Sequence, residues 1–458
     1  MPHPPFGLRD KLGYLFGDFG NDFTFILSTM ILLKFYTDVM GVDAYFVGLV
    51  MMVARFVDGF TDVAMGRICD RSRGTAAGKF KPWILRMCGP VAVASFLMYQ
   101  SALATAPLAV KVGWLFVTYI LWGSVFYTAV NIPYGSMASA ISPDPAHRQS
   151  LSTFRTMGGT LAGLLIGVGL PLFAFQKING KETLIGSRVT AVVGVFSVLA
   201  VGCYLLCYHL VTERVRPEPT KTPSLRRTLA NAVKNRALLS IIAASVVMLL
   251  AQLTMQTMAG YIFPDYYNNA TAQSVSTLLM VGAMAAAAAV AGPLSRRFGK
   301  AEVSVTANLF AALICVVLFF LRPANVWVYV AFQTLCWLGL GLFSMVNWAL
   351  ITDVIDYAEL QNGVREDGAV YALYSFARKL GQAAASGVSG VLLSVIGYTA
   401  DTAQSPAVKG GLFTLSTLIP AGGFLALALV LWFWYPLHKR QVAANVAALK
   451  AKHKGENS

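Results

Sequence analysis

The chain has 458 residues, of which 56% are hydrophobic and 12% charged, and its mean hydropathy is +0.62. Soluble domains carry about 25% charged residues, so this composition excludes a protein whose whole surface faces water. The net charge of +15 invites a nucleic-acid-binding interpretation. However, the basic residues occur in short clusters between apolar runs and form no face with interleaved aromatic residues. The composition therefore predicts an integral membrane protein.

Apolar runs of helix length recur along the chain. A membrane-crossing helix needs about 20 apolar residues, so we predict an all-α integral membrane protein with twelve spans. The predicted spans are 11–37, 44–69, 82–104, 110–140, 149–175, 189–212, 237–263, 273–296, 301–321, 325–356, 368–398 and 408–436. One long polar connector, 213–236, separates a six-helix bundle at 1–212 from a second bundle at 237–437. A basic tail follows at 438–458.

Lysine and arginine cluster in every second connector, in the long connector and in the tail, whereas the connectors at 37–46 and 265–274 are poor in both. By the positive-inside rule the basic connectors face the cytoplasm. We therefore expect both termini in the cytoplasm. The first apolar run carries Asp18 and Asp22 and lacks a small-residue cleavage site, so it is not a signal peptide.

Two connectors carry a similar short pattern. Gly66–Gly74 follows the second predicted span and Gly292–Lys300 follows the eighth, and both combine glycines with arginines. This pattern is similar to the loop signature of the major facilitator superfamily. The similarity implies two six-helix repeats with the substrate held between them.

The second predicted span carries Arg55, Asp58 and Asp62 within eight residues. A charge at the centre of a span costs roughly 2.5–3.5 kcal/mol, so these groups need partners or a wet cavity. Their i, i+3 and i+4 spacing places them on one helix face. Two carboxylates on adjacent turns suit a sodium ion, or one of them can hold a proton. The alternative is a purely structural Arg–Asp pair.

Other polar residues in predicted spans suggest a sugar site. The first span carries an acidic pair, Asp18 and Asp22, flanked by Asn21, and carboxylates that can accept two hydroxyl hydrogen bonds are a common way to hold a sugar. Arg155 and Lys379 add positive groups, although Lys379 could instead extend to the membrane edge. Trp348 is a candidate platform for a sugar ring, and packing is the alternative.

Several segments together resemble one family across nearly the whole chain. They are Gly17–Asp22, Phe35–Asp38, Val53–Asp62, Gly78–Pro82, Asn131–Ser136 and Trp348–Tyr357. They resemble the glycoside–pentoside–hexuronide:cation symporters, the family of the melibiose and glucuronide permeases. The resemblance implies a major facilitator fold and sugar transport coupled to Na⁺ or H⁺. It implies these roles: cation binding for Asp58, Asp62 and Thr128, sugar contact for Asp22 and Arg155, and a link between the two sites for Lys379.

Two positions depart from the melibiose permease pattern. Asn131 replaces an aspartate, as in the glucuronide branch, and Gly135 replaces an aromatic residue that stacks on sugar. With one carboxylate fewer, and with Arg155 and Lys379 present, the pocket is less negative. This favours a glucuronide or another anionic glycoside. Because Asp22 remains, a neutral glycoside or pentoside stays open as the alternative.

A count of charges in the presumed cavity supports the same preference. Three acids face three bases, and a bound cation would then make the pocket positive, which an anionic substrate would balance. The acids are Asp22, Asp58 and Asp62, and the bases are Arg55, Arg155 and Lys379.

Charged residues at the predicted cytoplasmic end of the tenth span suggest a gate. Asp353 and Asp356 would form salt bridges with Arg148 or Arg296 and hold the inner side closed. A solvated helix end is the alternative.

Rival functions fit less well. No catalytic triad, metal-ligand spacing or redox cysteine motif is present, so we expect no catalytic residue, no cofactor and no enzyme activity. A sodium-coupled lysolipid transporter is a less favoured alternative. The expected partners are a sugar, a coupling cation and lipid, without nucleic acid, for a monomer in a bacterial inner membrane.

Overall fold

The computed structural model describes residues 4–72, 74–75, 77–215, 235–362 and 367–456. Within these ranges, twelve long helices lie at the positions of the twelve predicted spans. The first six are α1 (Leu8–Met30), α2 (Ala44–Arg71), α3 (Lys81–Leu97), α4 (Leu108–Ile141), α5 (Pro145–Ala174) and α6 (Gly186–Leu210). The next six are α7 (Arg236–Tyr261), α8 (Ala270–Phe298), α9 (Lys300–Leu321), α10 (Val326–Asn362), α11 (Asp367–Val395) and α12 (Pro406–Leu429). A further helix, α13 (Lys439–Glu456), occupies the basic tail.

Among the described residues, nine of these helices are long and apolar enough to cross a membrane by length and composition. The three long helices outside that set are α1, α2 and α11. They carry Asp18 and Asp22, the Arg55–Asp62 segment and Lys379, respectively. The charged residues that suggest function therefore sit on the helices that hydropathy alone identifies least well.

Local sequence accounts for several helix boundaries. The Asp43 carboxylate accepts from the Tyr45 N–H at 2.8 Å and caps the start of α2. Asp144 caps α5 in the same way, through the Ala146 N–H at 2.8 Å, and Pro145 occupies the first helical position. Four described segments continue a helix with wider, π-type turns: Phe35–Val39 after α1, Leu121–Tyr127 inside α4, Ile262–Tyr266 after α7 and Val430–Trp434 after α12.

A short hairpin joins α5 to α6 and was not predicted. Strand β1 (Phe175–Ile178) pairs antiparallel with β2 (Lys181–Leu184). Asn179 and Gly180 form the two-residue turn, both with positive φ, of 50° and 78°. Asparagine followed by glycine is the sequence that this turn favours.

The chain packs as two compact units. Unit 1 contains residues 1–220, 259–277 and 386–409. Within it α1 packs against α5 and α6. Gly158 and Gly159 permit the close approach of α5, because a Cβ at Gly158 would lie 2.5 Å from the Leu15 carbonyl oxygen and one at Gly159 would meet carboxylates of α1.

Unit 2 contains residues 221–258, 278–385 and 410–458. Its core is a continuous apolar cluster from α7, α9, α10, α11 and α12, with Trp337, Phe343, Tyr374 and Phe424 among its largest buried side chains. Helix α13 packs on α10 and α9. The Glu302 carboxylate of α9 accepts from the Lys439 N–H, at 2.9 Å, at the start of α13.

The first residues of the long connector bind back to unit 1. The Glu213 carboxylate accepts from the N–H groups of Lys79, Phe80 and Lys81 at 2.7–2.9 Å, so it caps the start of α3. Arg214 forms an ion pair of 2.8 Å with the buried Asp10. The rest of the predicted cytoplasmic connector, residues 216–234, lies outside the described residues.

Candidate functional site

Helices α2 and α4 bring two carboxylates opposite two hydroxyls. Asp58 is 7% exposed and accepts a short hydrogen bond from Ser124. One turn further, the Thr128 hydroxyl donates to Asp62 at 2.7 Å and lies 3.1 Å from the Gly123 carbonyl oxygen. The two acids are four residues apart on α2, and the two hydroxyl residues are four residues apart on α4. Each acid therefore faces one hydroxyl on successive helical turns. This places together the three residues predicted for cation binding, Asp58, Asp62 and Thr128.

Arg55 lies beside these carboxylates and contacts Asp58 through one nitrogen atom. Its Nη1 is 3.3 Å from the Asp58 carboxylate. Its guanidinium also lies over the rings of Phe25, at 4.8 Å from the centroid, and Trp122, at 5.4 Å. Cation–π contacts of this kind hold a buried arginine without consuming carboxylate oxygens. The Asp58 oxygens therefore keep capacity to bind a further cation.

The absence of a side chain at Gly123 lets the Asp58 carboxylate lie close to the backbone of α4. A Cβ at this position would lie 3.3–3.4 Å from both Asp58 carboxylate oxygens. Gly123 belongs to the π-type segment of α4, and such widened turns are often found at functional sites.

A second acid–base group joins α1 to α5. The Arg155 Nε donates to the Asp18 carboxylate at 2.9 Å, and Asp18 is 8% exposed as a whole residue. The Arg155 side chain is 40% exposed. Its guanidinium lies 5.3 Å from the centre of the Tyr134 ring. Asp18 and not Asp22 is thus the ion-pair partner of this arginine.

Asp22 lies one turn from Asp18, and both carboxylates border Gly159. A Cβ at Gly159 would lie 3.1 Å from an Asp18 oxygen and would collide with an Asp22 oxygen. The neighbouring Asn21 is 1% exposed, and its side-chain oxygen accepts from the Tyr204 hydroxyl at 2.9 Å. Asn21 therefore links α1 to α6 through this hydrogen bond. Asp22 is half-buried, as is Arg155.

The Asp18–Arg155 pair changes the predicted charge count. That count set three acids against three bases and omitted Asp18. Because Asp18 neutralises Arg155, a bound cation does not by itself leave an unbalanced arginine. The predicted charge count was therefore incomplete, because it left out the acid that pairs with Arg155.

The two positions that depart from the melibiose permease pattern lie on α4. Asn131 is half-buried. A Cβ at Gly135 would lie 3.9 Å from the Arg155 Nη1, which is an ordinary van der Waals contact. Gly135 therefore leaves space next to the exposed end of Arg155.

Two further candidates for substrate binding, Trp348 and Lys379, belong to unit 2. Trp348 is 48% exposed and makes an edge-on contact with Tyr374, with ring centroids 5.4 Å apart. Arg378, next to Lys379, places its guanidinium 6.0 Å from the Trp348 ring centre. Lys379 is half-buried on α11. An exposed indole with one face supported remains compatible with the predicted stacking role.

One acid of the predicted gate, Asp353, is paired with Lys300. The Lys300 ammonium contacts both oxygens of Asp353, at 2.7 and 2.8 Å, and Asp353 is 7% exposed. Arg148 instead donates to the Pro143 carbonyl oxygen at 2.6 Å, and Arg296 is exposed. Asp353 is thus paired with Lys300 within unit 2, and the predicted pairing of Asp353 and Asp356 with Arg148 or Arg296 stays a prediction. Asp356 lies on the same helix, half-buried.

One residue of these groups, Ser124, was not predicted. Ser124 is four residues before Thr128, and the same spacing that linked Asp58 to Asp62 would have identified it. Asp18 was predicted as part of the acidic pair of the first span, but its pairing with Arg155 was not, because it joins residues 137 positions apart.

Comparison with known proteins shows which family the chain belongs to. The family model for MFS/sugar transport proteins matches residues 13–439. This chain belongs to that family. The predicted resemblance and the all-α major facilitator fold are confirmed, and the chain is a membrane transporter of the sugar-transport type and not an enzyme.

Three similar proteins illustrate the family. A candidate sulfoquinovose importer of Salmonella typhimurium is 32% identical over 98% of this chain and 94% of its own length. The isoprimeverose transporter of Lactiplantibacillus pentosus is 31% identical over 98% of this chain and 92% of its own. The crystal structure of a D-xylose-proton symporter, 16% identical, covers 94% of this chain and 97% of that chain with a TM-score of 0.65.

Proposed function

We propose that this transporter is a symporter that moves a sugar or glycoside together with Na⁺ or H⁺ by alternating access in a bacterial cytoplasmic membrane. The observation that carries this proposal is the match between Asp58 and Asp62 on α2 and Ser124 and Thr128 on α4.

The cation is held by oxygen atoms alone. Two carboxylates, two hydroxyls and the Gly123 carbonyl lie along one seam, and hard cations such as Na⁺ favour such oxygen sets. Carboxylates inside a span are costly unless they are paired or have a function. Arg55 contacts Asp58 through a single nitrogen, at 3.3 Å.

The sugar contacts Asp22 and Arg155. The Asp22 carboxylate can accept hydrogen bonds from two sugar hydroxyls, and the exposed part of Arg155 lies beside Gly135. Asn131, Trp348 and Lys379 are further proposed contacts, with Lys379 linking cation and sugar binding.

An acidic sugar is the favoured substrate class. Arg155 uses its Nε for Asp18 and keeps 40% of its side chain exposed, and a guanidinium can bind a second anion through its distal nitrogens. The relative from Salmonella typhimurium is named for a sulfonated sugar, which agrees with this preference.

A neutral glycoside is the second candidate. The Asp18 carboxylate already balances the Arg155 charge, so that a second anion is not needed. The relative from Lactiplantibacillus pentosus is named for isoprimeverose transport.

We also propose that both termini, the connector 213–236 and the tail 438–458 face the cytoplasm, that the two six-helix bundles at 1–212 and 237–437 are the moving repeats, and that the transporter works as a monomer. The Lys300–Asp353 pair then belongs to the cytoplasmic gate. Impermeant maleimide should label a cysteine placed in the connector only in inverted vesicles.

Uptake into vesicles tests the function. A panel of glucuronides and the corresponding glucosides is offered to proteoliposomes under an inward Na⁺ gradient, an inward H⁺ gradient or neither. We expect accumulation with one of the two cations and a preference for the acid. Accumulation of neither sugar class under either gradient would refute the proposal, and equal uptake of acid and glucoside would favour the neutral candidate.

A further inference from the structure

A third group of charged residues lies within unit 1, away from both groups described above. Lys34 ends the short helical turn Leu32–Lys34, and Asp38 lies one turn later in the π-type segment. Asp265 belongs to the π-type segment after α7, and Tyr398 follows α11. The side chains of Lys34 and Asp265 are 1% and 7% exposed. The family comparisons assign no role to this group, which we call the latch cluster (Lys34, Asp38, Asp265 and Tyr398).

One ammonium binds both carboxylates. The Lys34 Nζ lies 2.7 Å from an Asp38 oxygen and 2.7 Å from an Asp265 oxygen, and it lies 3.0 Å from the Tyr398 hydroxyl. These three contacts use all three N–H bonds of the ammonium. The Nζ also lies over the Tyr261 ring, 4.5 Å from its centre.

The charges of the latch cluster do not balance. One lysine faces two aspartates, so the cluster carries one negative charge in excess when both acids are ionised. Burying an unbalanced carboxylate is costly, and two carboxylates that share a site disfavour ionisation of both. One additional proton would remove the excess charge.

The contacts of the Tyr398 hydroxyl are also consistent with one additional proton in the latch cluster. The Tyr398 oxygen lies 2.7 Å from an Asp265 oxygen and 3.0 Å from an Asp38 oxygen, and it also accepts from Lys34. A phenol has one hydrogen and can donate it to only one of the two acids. The contact with the other acid becomes a hydrogen bond when that carboxyl is protonated and donates to the phenol oxygen.

Among the described residues, the ion pairs of Asp38 and Asp265 are with Lys34 alone. Strand β2, which packs on the segments that carry both acids, contains Lys181, which is exposed, and Glu182, which is half-buried. The Thr37 hydroxyl is 2.8 Å from Asp38 and 3.4 Å from the Tyr261 hydroxyl. Gln404 donates to the Asp265 carbonyl at 3.2 Å, and Lys111 donates to the Met40 carbonyl at 2.7 Å. These neighbours contribute neutral contacts or bind backbone, so they leave the excess charge in place.

The segments that the latch cluster connects are tightly packed. Residues 259–277 and 386–409 pack on the α1–α2 region within unit 1. Gly48 of α2 and Gly390 of α11 allow backbone contact, since a Cβ at Gly48 would lie 2.8 Å from the Gly390 Cα. Ser274, 4% exposed, donates to the Val168 carbonyl oxygen at 2.8 Å. This end of unit 1 is therefore closed in the structure.

We propose that the latch cluster is a proton-binding site, in which Asp38 and Asp265 share one proton when this end is closed. The connectors at 37–46 and 265–274 are poor in lysine and arginine, so the proton comes from water on the non-cytoplasmic side. Loss of that proton leaves a buried excess charge, which hydrates and opens the latch. The proposal rests on the alternating access proposed above, and it predicts closure at low external pH and opening at high external pH.

Cysteine accessibility tests this site. Ser274→Cys places a thiol in the packed segment, and Asp401→Cys places one on the exposed turn before α12 as a reference. Right-side-out vesicles without sugar are labelled with impermeant maleimide between pH 5.5 and 8. The rate at 274 is divided by the rate at 401 to remove the pH dependence of the thiol itself. We expect this ratio to rise at least fivefold with pH.

Amide variants identify the carboxylates. Asp38→Asn and Asp265→Asn each remove the excess charge with little change in shape, so both should keep the ratio low and independent of pH. Lys34→Met removes the cation, so one shared proton no longer neutralises both acids, and the ratio at low pH should be higher than in the unmodified chain. Size-exclusion profiles in detergent confirm that each variant is folded, and either amide variant alone suffices.

Three results would overturn the proposal. The first is a ratio that does not change with pH in the otherwise unmodified chain. The second is an Asp265→Asn variant that keeps the full pH dependence, and the third is labelling only in inverted vesicles, which would place the latch cluster on the cytoplasmic side. Because no sugar is present, failure of glycoside uptake with an intact pH profile would refute the proposed substrate and leave the latch standing.

Discussion

The group around Asp58 and the latch cluster both combine two aspartates with a basic residue within unit 1, and they differ in how that base meets the acids. In the latch cluster the Lys34 ammonium contacts both acids at 2.7 Å and is itself buried. Next to Asp58, the base is an arginine held largely by aromatic rings, and the oxygens meet hydroxyls.

The difference teaches what a buried carboxylate pair can do. A lysine between two acids occupies the place that a mobile cation would take, so the remaining variable is a proton. Acids that face hydroxyls keep an oxygen-lined position for a cation that arrives and leaves. Similar sets of acidic and basic side chains therefore support closure in the latch cluster and transport coupling around Asp58.

The largest expected effect breaks the coupling region. Asp58→Asn or Asp62→Asn removes a cation ligand but keeps the helix packing. Coupling between two ligands is typically about 1–3 kcal/mol, so cation stimulation of uptake should fall by about 5–150-fold. Sugar exchange at equal concentrations on both sides should persist. Asp401→Asn, the same change on an exposed turn, is the control, and full gradient-driven uptake by both variants would contradict the assignment.

A smaller effect is expected from the hydroxyls. Thr128→Val keeps the shape of the side chain but removes the donor to Asp62, and Ser124→Ala does the same for Asp58. Hydrogen bonds to charged groups contribute about 1.5–3 kcal/mol, so the cation concentration for half-maximal uptake should rise by about tenfold. Thr156→Val, on an exposed turn of α5, is the matched control. An unchanged cation dependence would show that the carboxylates act without these hydroxyls.

The Lys300–Asp353 pair offers a test of a salt bridge with a fixed partner. Lys300→Met leaves the Asp353 carboxylate buried without its cation. Breaking a fully buried pair costs about 3–5 kcal/mol, and we expect about 1–2 kcal/mol here because the Lys300 side chain is 32% exposed. Thermal unfolding in detergent measures the loss. The double variant with Asp353→Asn should recover part of it, and additive losses would mean that the two residues do not interact.

The mildest change sharpens the view of the latch cluster. Tyr398→Phe removes the phenol that lies between the two acids but leaves the three charges. A neutral hydrogen bond contributes about 1 kcal/mol, so the labelling ratio at low pH should rise by about fivefold and its dependence on pH should remain. A loss of the pH dependence would mean that the phenol, and not the acids, is the titrating group.

Sequence alone predicted the features that repeat over short distances. The order of apolar runs predicted twelve helices, nine of which are apolar enough among the described residues to cross a membrane, and the i, i+4 spacing of Asp58 and Asp62 predicted their common face. It could not predict that Asp18 pairs with Arg155 or that Lys300 reaches Asp353, because those choices depend on how helices pack.

The latch cluster shows this limit most clearly. Lys34 lies inside the first predicted span and Asp265 is 231 residues later. Nothing in the local pattern links them, since each reads as a charge near the end of an apolar run. Only the packing of residues 259–277 and 386–409 in unit 1 brings them together.

The most direct test of the account reverses the usual gradient. If cation and sugar bind as a coupled pair, then a sugar gradient must move the cation, because linkage between two ligands is reciprocal. Proteoliposomes with equal Na⁺ and pH on both sides receive an inward gradient of the transported glycoside, and cation entry is followed with a fluorescent indicator. We predict cation entry against its own developing gradient, and none with Asp62→Asn. Sugar entry with no movement of either Na⁺ or H⁺ would contradict the symport that we propose.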